Sequence, residues 1–130
     1  MQARHYVSVK IAIFSDDFER VMVMYYPKGD IYGLPGGHID KGEDADTAMA
    51  RELVEELGIS VPHAKRSDFF STNRIILGYT AVVPSDFQTY PSNPKKEHAV
   101  WLTKAELEAM TALSEGYKAF ILEQWPTSNE

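Results

Sequence analysis

Three glutamates, Glu52, Glu55 and Glu56, stand near the end of a helical stretch running from Asp44 to Leu57. At about 100° per residue, with Glu52 as zero, Glu55 falls near ~300° and Glu56 near ~40°. The three carboxylates therefore share a wedge of roughly 100°. The Glu52–Glu56 and Glu52–Glu55 repulsions each cost about 0.2–0.5 kcal/mol. The helix dipole adds about 0.3–1 kcal/mol against acids in the last turn. Arg51, one turn before Glu55, returns only about 0.3 kcal/mol. The row is thus locally unfavourable by roughly 1 kcal/mol. A divalent cation reverses that sign, because clustered carboxylates are the hard oxygen ligands that Mg²⁺ and Mn²⁺ prefer. A solvated acidic helix face is the competing reading of the same residues. Two other chemistries fail on spacing. A calcium loop needs a ligand and a glycine where Ala48 and Met49 stand, and "GLPGG" is not followed by the GK[ST] of a phosphate-binding loop.

The elements that must position these acids are legible as alternating and periodic stretches. In "HYVSVKIAIF", residues 5–14, Val7, Val9, Ile11 and Ile13 share one strand face and Ser8 and Lys10 the other. "RVMVMYY", residues 20–26, is apolar on both faces and predicts a central strand. "PKGDIYGLPGG" reads as a structured loop. The helix is framed by Asp44 or Asp46 as N-cap and by Gly58 after its last turn, with Leu53, Leu57, Ala50 and Val54 expected to face the core. Val61–Phe70 and Arg74–Val83 predict strands, residues 84–96 a proline-rich loop, and "EHAVWL" a short strand. Thr103 and Glu106 form a capping-box pattern for a short helix. A last helix is expected over Ser114–Trp125, with Tyr117, Phe120, Ile121 and Trp125 as its apolar set. Mixed helices and strands predict an α/β (α+β) fold with a mixed sheet flanked by helices.

The chain has 130 residues, the size of one domain, so a single domain over 1–130 is expected. A net charge of -6 argues against a nucleic-acid polymer as partner and requires local positive charge or metal for an anionic substrate. Cysteine is absent, which rules out disulfides and thiolate metal sites and makes the cytoplasm the default location. No apolar run reaches the ~18 residues of a membrane span, so no membrane partner is expected.

The spacing carries a resemblance. Gly37, five residues, Glu43, seven residues, then Arg51-Glu52-Leu53-Val54-Glu55-Glu56-Leu57-Gly58-Ile59 resembles the complete signature of the Nudix hydrolase family. The preceding "YGLPGG" is similar to the family's lead-in, with Tyr32 where Trp is more frequent. The resemblance implies an α/β/α sandwich and hydrolysis of a nucleoside diphosphate linked to another moiety, with Mg²⁺ or Mn²⁺. By motif position it implies Glu52, Glu55 and Glu56 as metal ligands together with the Gly36 carbonyl. Gly37 and Glu43 support the site, and Arg51 orients a glutamate. Family members take the general base from the signature helix or from a distant loop. Glu97, after the proline-rich loop, is the candidate for an extra acid near the metals, with a strand-edge charge as its other reading.

Lys10, Arg74 and Tyr79 are candidate substrate contacts. His98 is a candidate phosphate contact, and Phe14, Phe69, Phe70 and Tyr79 are candidates for base stacking or core. The stretch "STNRIILGY" has neither the proline nor the tyrosine at the distance after the signature that marks the family's ADP-ribose and dinucleoside-polyphosphate groups, which leaves small nucleoside triphosphates, damaged ones included, as the favoured substrates. A catalytically silent Nudix-fold binding module or sensor is the alternative, and a metal-stabilised structural protein a third. Monomer and homodimer are both left open.

Overall fold

Strand β1, Val7–Ser15, organises the molecule because three neighbours share its two edges. One edge pairs in parallel along its whole length with β6, Ile75–Val83. The other edge is divided. Ser8–Lys10 pairs antiparallel with β4, Gly36–His38, whereas Ile13 and Phe14 pair with β2, Arg20–Tyr26. β2 continues past β1 and pairs there with β3, Ile31–Gly33, while its opposite edge carries β7, His98–Thr103. β5, Lys65–Ser71, completes the seven-stranded mixed sheet on the far side of β6. The divided edge makes a fork between β1 and β2, and the 33–36 segment runs through it. This computed structural model describes residues 7–71 and 74–127, apart from the side chains of Phe69 and Ser71. The start of the first predicted strand and the stacking role considered for Phe69 lie outside those residues.

Helices cover both faces of the sheet. α1, Ala45–Leu57, packs Ala48, Met49, Leu53 and Leu57 against Val9, Ile11, Ile13, Met22, Met24 and Tyr79. On the other face, α2, Lys104–Ala109, and α3, Glu115–Gln124, bring Leu107, Phe120 and Ile121 against Ala12, Phe14, Val21, Val23 and Leu34. The result is the expected α/β/α sandwich. Local signals set the ends of these helices. Asp44 accepts from the Thr47 amide, Ser114 from the Tyr117 amide, and Thr103 and Glu106 complete a reciprocal capping box. Among the described residues no helix is long and apolar enough to cross a membrane.

Three expectations need correction. The predicted loop after β2 contains β3 and β4, each three residues long and too short to show an alternating pattern. Strand β5 starts at Lys65 instead of Val61, because residues 61–64 close a turn in which the Ala64 amide donates to the Val61 carbonyl. The buried arc of α1 is also rotated. Ala50 is exposed and Val54 is 59% exposed, while Ala48 and Met49 are buried. Grouping the apolar residues of the last two turns put the arc on their side. The true arc runs over Ala48, Met49, Leu53 and Leu57, and at about 100° per residue Glu52 and Glu56 lie within it.

Truncation distinguishes the two arcs. Leu53→Ala is expected to lower unfolding stability by about 2–5 kcal/mol, as for a fully buried leucine. Val54→Ala is expected to change it by no more than about 0.5 kcal/mol. Urea titrations of both variants measure this, and similar losses would restore Val54 to the core.

Candidate functional site

Two glycines let the acidic end of α1 meet the sheet, Gly37 by leaving room for Glu52 and Gly36 by letting β4 lie close against β1. At Gly37 a Cβ would sit 2.5 Å from Glu52 Oε1, so only a bare backbone lets that carboxylate lie against β4. At Gly36, with φ +138°, a Cβ would come within 1.9 Å of the Val9 carbonyl oxygen. The Gly36 amide donates to Glu56 Oε1 at 2.8 Å. Neighbouring backbone positions thus seat two acids of one helix.

Arg51 fixes the remaining geometry. Its Nε and Nη2 donate to the two oxygens of Glu43 at 2.6 and 2.9 Å, a forked pairing that lysine cannot reproduce. Its Nη1 donates to Glu52 and to Glu55 at 3.1 Å each, and Nη2 also reaches the His38 carbonyl at 3.1 Å. Glu43 in turn accepts from the Asp40 amide. The Arg51 guanidinium and that amide hold the Glu43 carboxyl down at about 2. Hydrogen bonding to Glu43 raises Arg51 in the complementary sense. The side chain expected to orient one glutamate therefore contacts three.

Glu56 occupies the opposite electrostatic regime. Burial raises its carboxyl to about 7, against the lowering effects of the Gly36 amide and Lys10, and the charges of Glu52 and Glu97 push it further up. Glu97 thus belongs electrostatically to the acidic group. Its backbone is clamped by Asn93, whose side chain accepts from the Glu97 amide at 2.8 Å and donates to its carbonyl at 2.9 Å. Lys10 is 9% exposed and donates to the Leu34 and Gly36 carbonyls at 3.2 and 3.3 Å. Burial lowers its ammonium, and Glu56 is the strongest influence in the other direction.

A cavity of about 470 Å³ opens in the fork, lined by Lys10, Tyr26, Tyr32, Arg74, Ser114 and Tyr117 among others. That is the size of a small-ligand pocket, with aromatic walls and two cations. Arg74 lies at 3.3 Å from His38 Nε2. Of the predicted substrate contacts, Lys10 and Arg74 meet here. Tyr79 does not line this cavity: it is buried beneath α1, and its hydroxyl donates to Asp46. Phe14 packs edge-on against Trp125 in the core, and Phe70 stacks on Phe120. His98 packs beside Tyr25 at a centroid distance of 5.5 Å. Sequence reasoning missed Tyr26, Tyr117, Ser114 and Asn93. Tyr26 and Tyr117 read as a strand end and a helix core residue, and only the fork brings them together.

Among the described residues no group of three or more acids and histidines already stands at metal-holding spacing, since Glu52 and Glu55 turn towards Arg51 and Glu56 towards Gly36. The donor set nevertheless fits Mg²⁺ or Mn²⁺. It offers three carboxylates on adjacent turns and a nearby backbone carbonyl, all hard oxygens, and one of the carboxylates is half-buried under the influence of like charges.

The raised Glu56 carboxyl has a pH signature. The folded state binds this proton more tightly than the unfolded chain, so its contribution to stability falls as pH rises from about 4.5 to about 7. The depressed Glu43 carboxyl acts in the other direction, but below that window. In chelator, the melting temperature of the wild type relative to Glu56→Gln is expected to drop by several degrees between pH 5 and pH 7.5. A pH-independent difference would contradict this placement of Glu56.

Several known proteins share this arrangement's sequence or fold. The chain is 34% identical over 77 residues to the Putative 8-oxo-dGTP diphosphatase 2 of Mycobacterium tuberculosis, covering 57% of this chain and 55% of that protein. It is 28% identical over 111 residues to the NAD-capped RNA hydrolase NudC of Photobacterium profundum, covering 77% of this chain and 38% of that protein. The chain therefore spans about half or less of the length of these curated relatives. Its fold matches the NUDIX domain of Shewanella oneidensis NrtR, solved with ADP ribose, at a TM-score of 0.79 and 19% identity, covering 94% of this chain and 87% of that one. It also matches a MutT NUDIX hydrolase from Burkholderia pseudomallei at a TM-score of 0.73 and 22% identity, covering 95% and 100% of the two chains. The NUDIX domain family model matches residues 4–124, nearly the whole chain, and with the seated glutamates and the Arg51 fork in place the chain belongs to the Nudix family.

Proposed function

We propose that this domain hydrolyses a pyrophosphate bond in a nucleoside diphosphate linked to another group, with small nucleoside triphosphates, oxidised ones included, as the favoured class. A nucleoside monophosphate is the expected product. The observation that carries the reading is the adjacency of two chemistries. Half-buried glutamates, one of them seated on Gly37, adjoin the strand segment that Lys10 holds, and Lys10 also lines an aromatic, cationic cavity. The similarity to a protein named as an 8-oxo-dGTP diphosphatase supports the substrate class. Such a role places the protein in the cytoplasm, where these nucleotides are.

Glu52, Glu55, Glu56 and the Gly36 carbonyl would hold Mg²⁺ or Mn²⁺. When bound, such an ion neutralises phosphate charge and lowers the pKa of water. The chain supplies the rest. Arg51, locked by Glu43, aims Glu52 and Glu55. Glu97, held by Asn93, takes the proton of the attacking water as general base. Lys10 and Arg74 meet phosphate oxygens, and Tyr26, Tyr32 and Tyr117 offer faces for the base.

The test is a panel of natural and oxidised nucleoside triphosphates, ADP-ribose and dinucleotides, with products identified by ion-exchange chromatography. Glu52→Gln and Glu56→Gln are each expected to lower turnover by roughly 100-fold or more while the fold is retained. Unchanged turnover in both would refute the assignment. Tight nucleotide binding without hydrolysis by the wild type would instead favour a sensor. Within the active panel, Tyr117→Ala is expected to raise KM and Tyr79→Phe to leave it unchanged. The opposite pattern would move the binding site to the other side of the sheet.

A further inference from the structure

Lys10 is an anomaly in the central strand. Its neighbours on the same face of β1, Ser8 and Ala12, are small and fully buried, and a buried ammonium costs free energy that an apolar residue there would not. Both of its hydrogen bonds go to backbone carbonyls, those of Leu34 and Gly36. The carboxylates that act on it are Glu56, Glu52 and Glu97, and Arg74 is the cation that opposes it. Its ammonium thus lies within the field of those acids, touching the same Gly36 oxygen that the proposed function gives to a metal ion. Lys10 also lines the cavity in the fork. A flexible four-carbon stem lets its head move between the two without a change of backbone.

We propose that Lys10 is an exchangeable counter-cation, holding the Gly36 carbonyl when no divalent ion is bound and passing to the diphosphate of the ligand when an ion takes that oxygen. The inference rests on the proposed metal-dependent reading of the site. Its physical basis is repulsion. An ammonium and a divalent ion cannot both lie against one carbonyl without a strong like-charge penalty in a poorly solvated site. Ion entry therefore opposes Lys10 until an anionic ligand offers the ammonium a new partner. Ion and diphosphate then assist each other's binding through one side chain, a reciprocal coupling. The ion alone binds weakly, which keeps the site from being filled without substrate.

The decisive experiment uses the full chain and two probes. Mn²⁺ binding is followed by the electron paramagnetic resonance of the free ion. Methylenediphosphonate, a nonhydrolysable stand-in for the pyrophosphate core, is titrated calorimetrically at saturating Mg²⁺. Lys10→Met is expected to bind Mn²⁺ alone on the order of tenfold more tightly than wild type, and the diphosphonate on the order of tenfold more weakly. A structural role for Lys10 weakens both. Lys10→Gln, uncharged but polar, gives the same two readouts should the methionine variant fail to fold. If Mn²⁺ affinity is unchanged or weaker in the variants, or diphosphonate affinity is unchanged, the exchange is overturned while the metal site stands. If the wild type takes up no Mn²⁺, the metal reading and the exchange fall together.

Discussion

The site depends on one packing constraint: the acidic end of α1 lies against a strand segment stripped of Cβ atoms. Glu52 rests on Gly37, and Glu56 receives the Gly36 amide. A methyl group at either glycine would meet the carboxylate or the adjoining strand. Helix docking and acid placement are consequently the same event. Leu53 and Leu57 supply the apolar burial that drives docking, and Glu52 and Glu56 are carried in with them.

Charge is then distributed unevenly and on purpose-built supports. Arg51 gathers Glu43, Glu52 and Glu55 through a planar fork that Glu43 locks in place. Glu56 is beyond that fork. It is half-buried, it feels Glu52 and Glu97, and its opposing influences are one backbone amide and Lys10. The helix thus holds one satisfied set of carboxylates and one, Glu56, whose surroundings oppose its charge. Glu56 is also the carboxylate that acts most strongly on Lys10, which lines the cavity. Folding tolerates this because the apolar arc of α1 outweighs a local electrostatic cost of roughly 1 kcal/mol.

Much of this was legible in the sequence, for reasons that particular residues make clear. The caps Asp44, Thr103 and Ser114 act locally, so their side chains mark the helix starts wherever the rest of the chain goes. The glutamate spacing is likewise local, and it carried the family resemblance. Long-range pairing was not legible. Ala50 and Val54 look like core on a helical projection, yet the sheet meets α1 along Met49 and Leu53, and no local rule sets that rotation. Tyr79 and Tyr26 are both strand tyrosines. Only the parallel register of β6 on β1 places Tyr79 under α1, and only the departure of β2 from β1 leaves Tyr26 in a cavity. Asn93 carried no signal at all, because its role is to hold the backbone of a residue four positions on.

The divided edge of β1 has a consequence for how such a domain diversifies. The glycine seat and the arginine clamp belong to β4 and α1, whereas the walls of the recess come largely from the end of β2, from β3 and from the start of α3, with Lys10 and Arg74. Changes to the tyrosines of those walls leave the arginine clamp and the glycine seat undisturbed. The two parts lie on largely separate stretches of chain and meet at Lys10, which lines the recess and holds the Gly36 carbonyl.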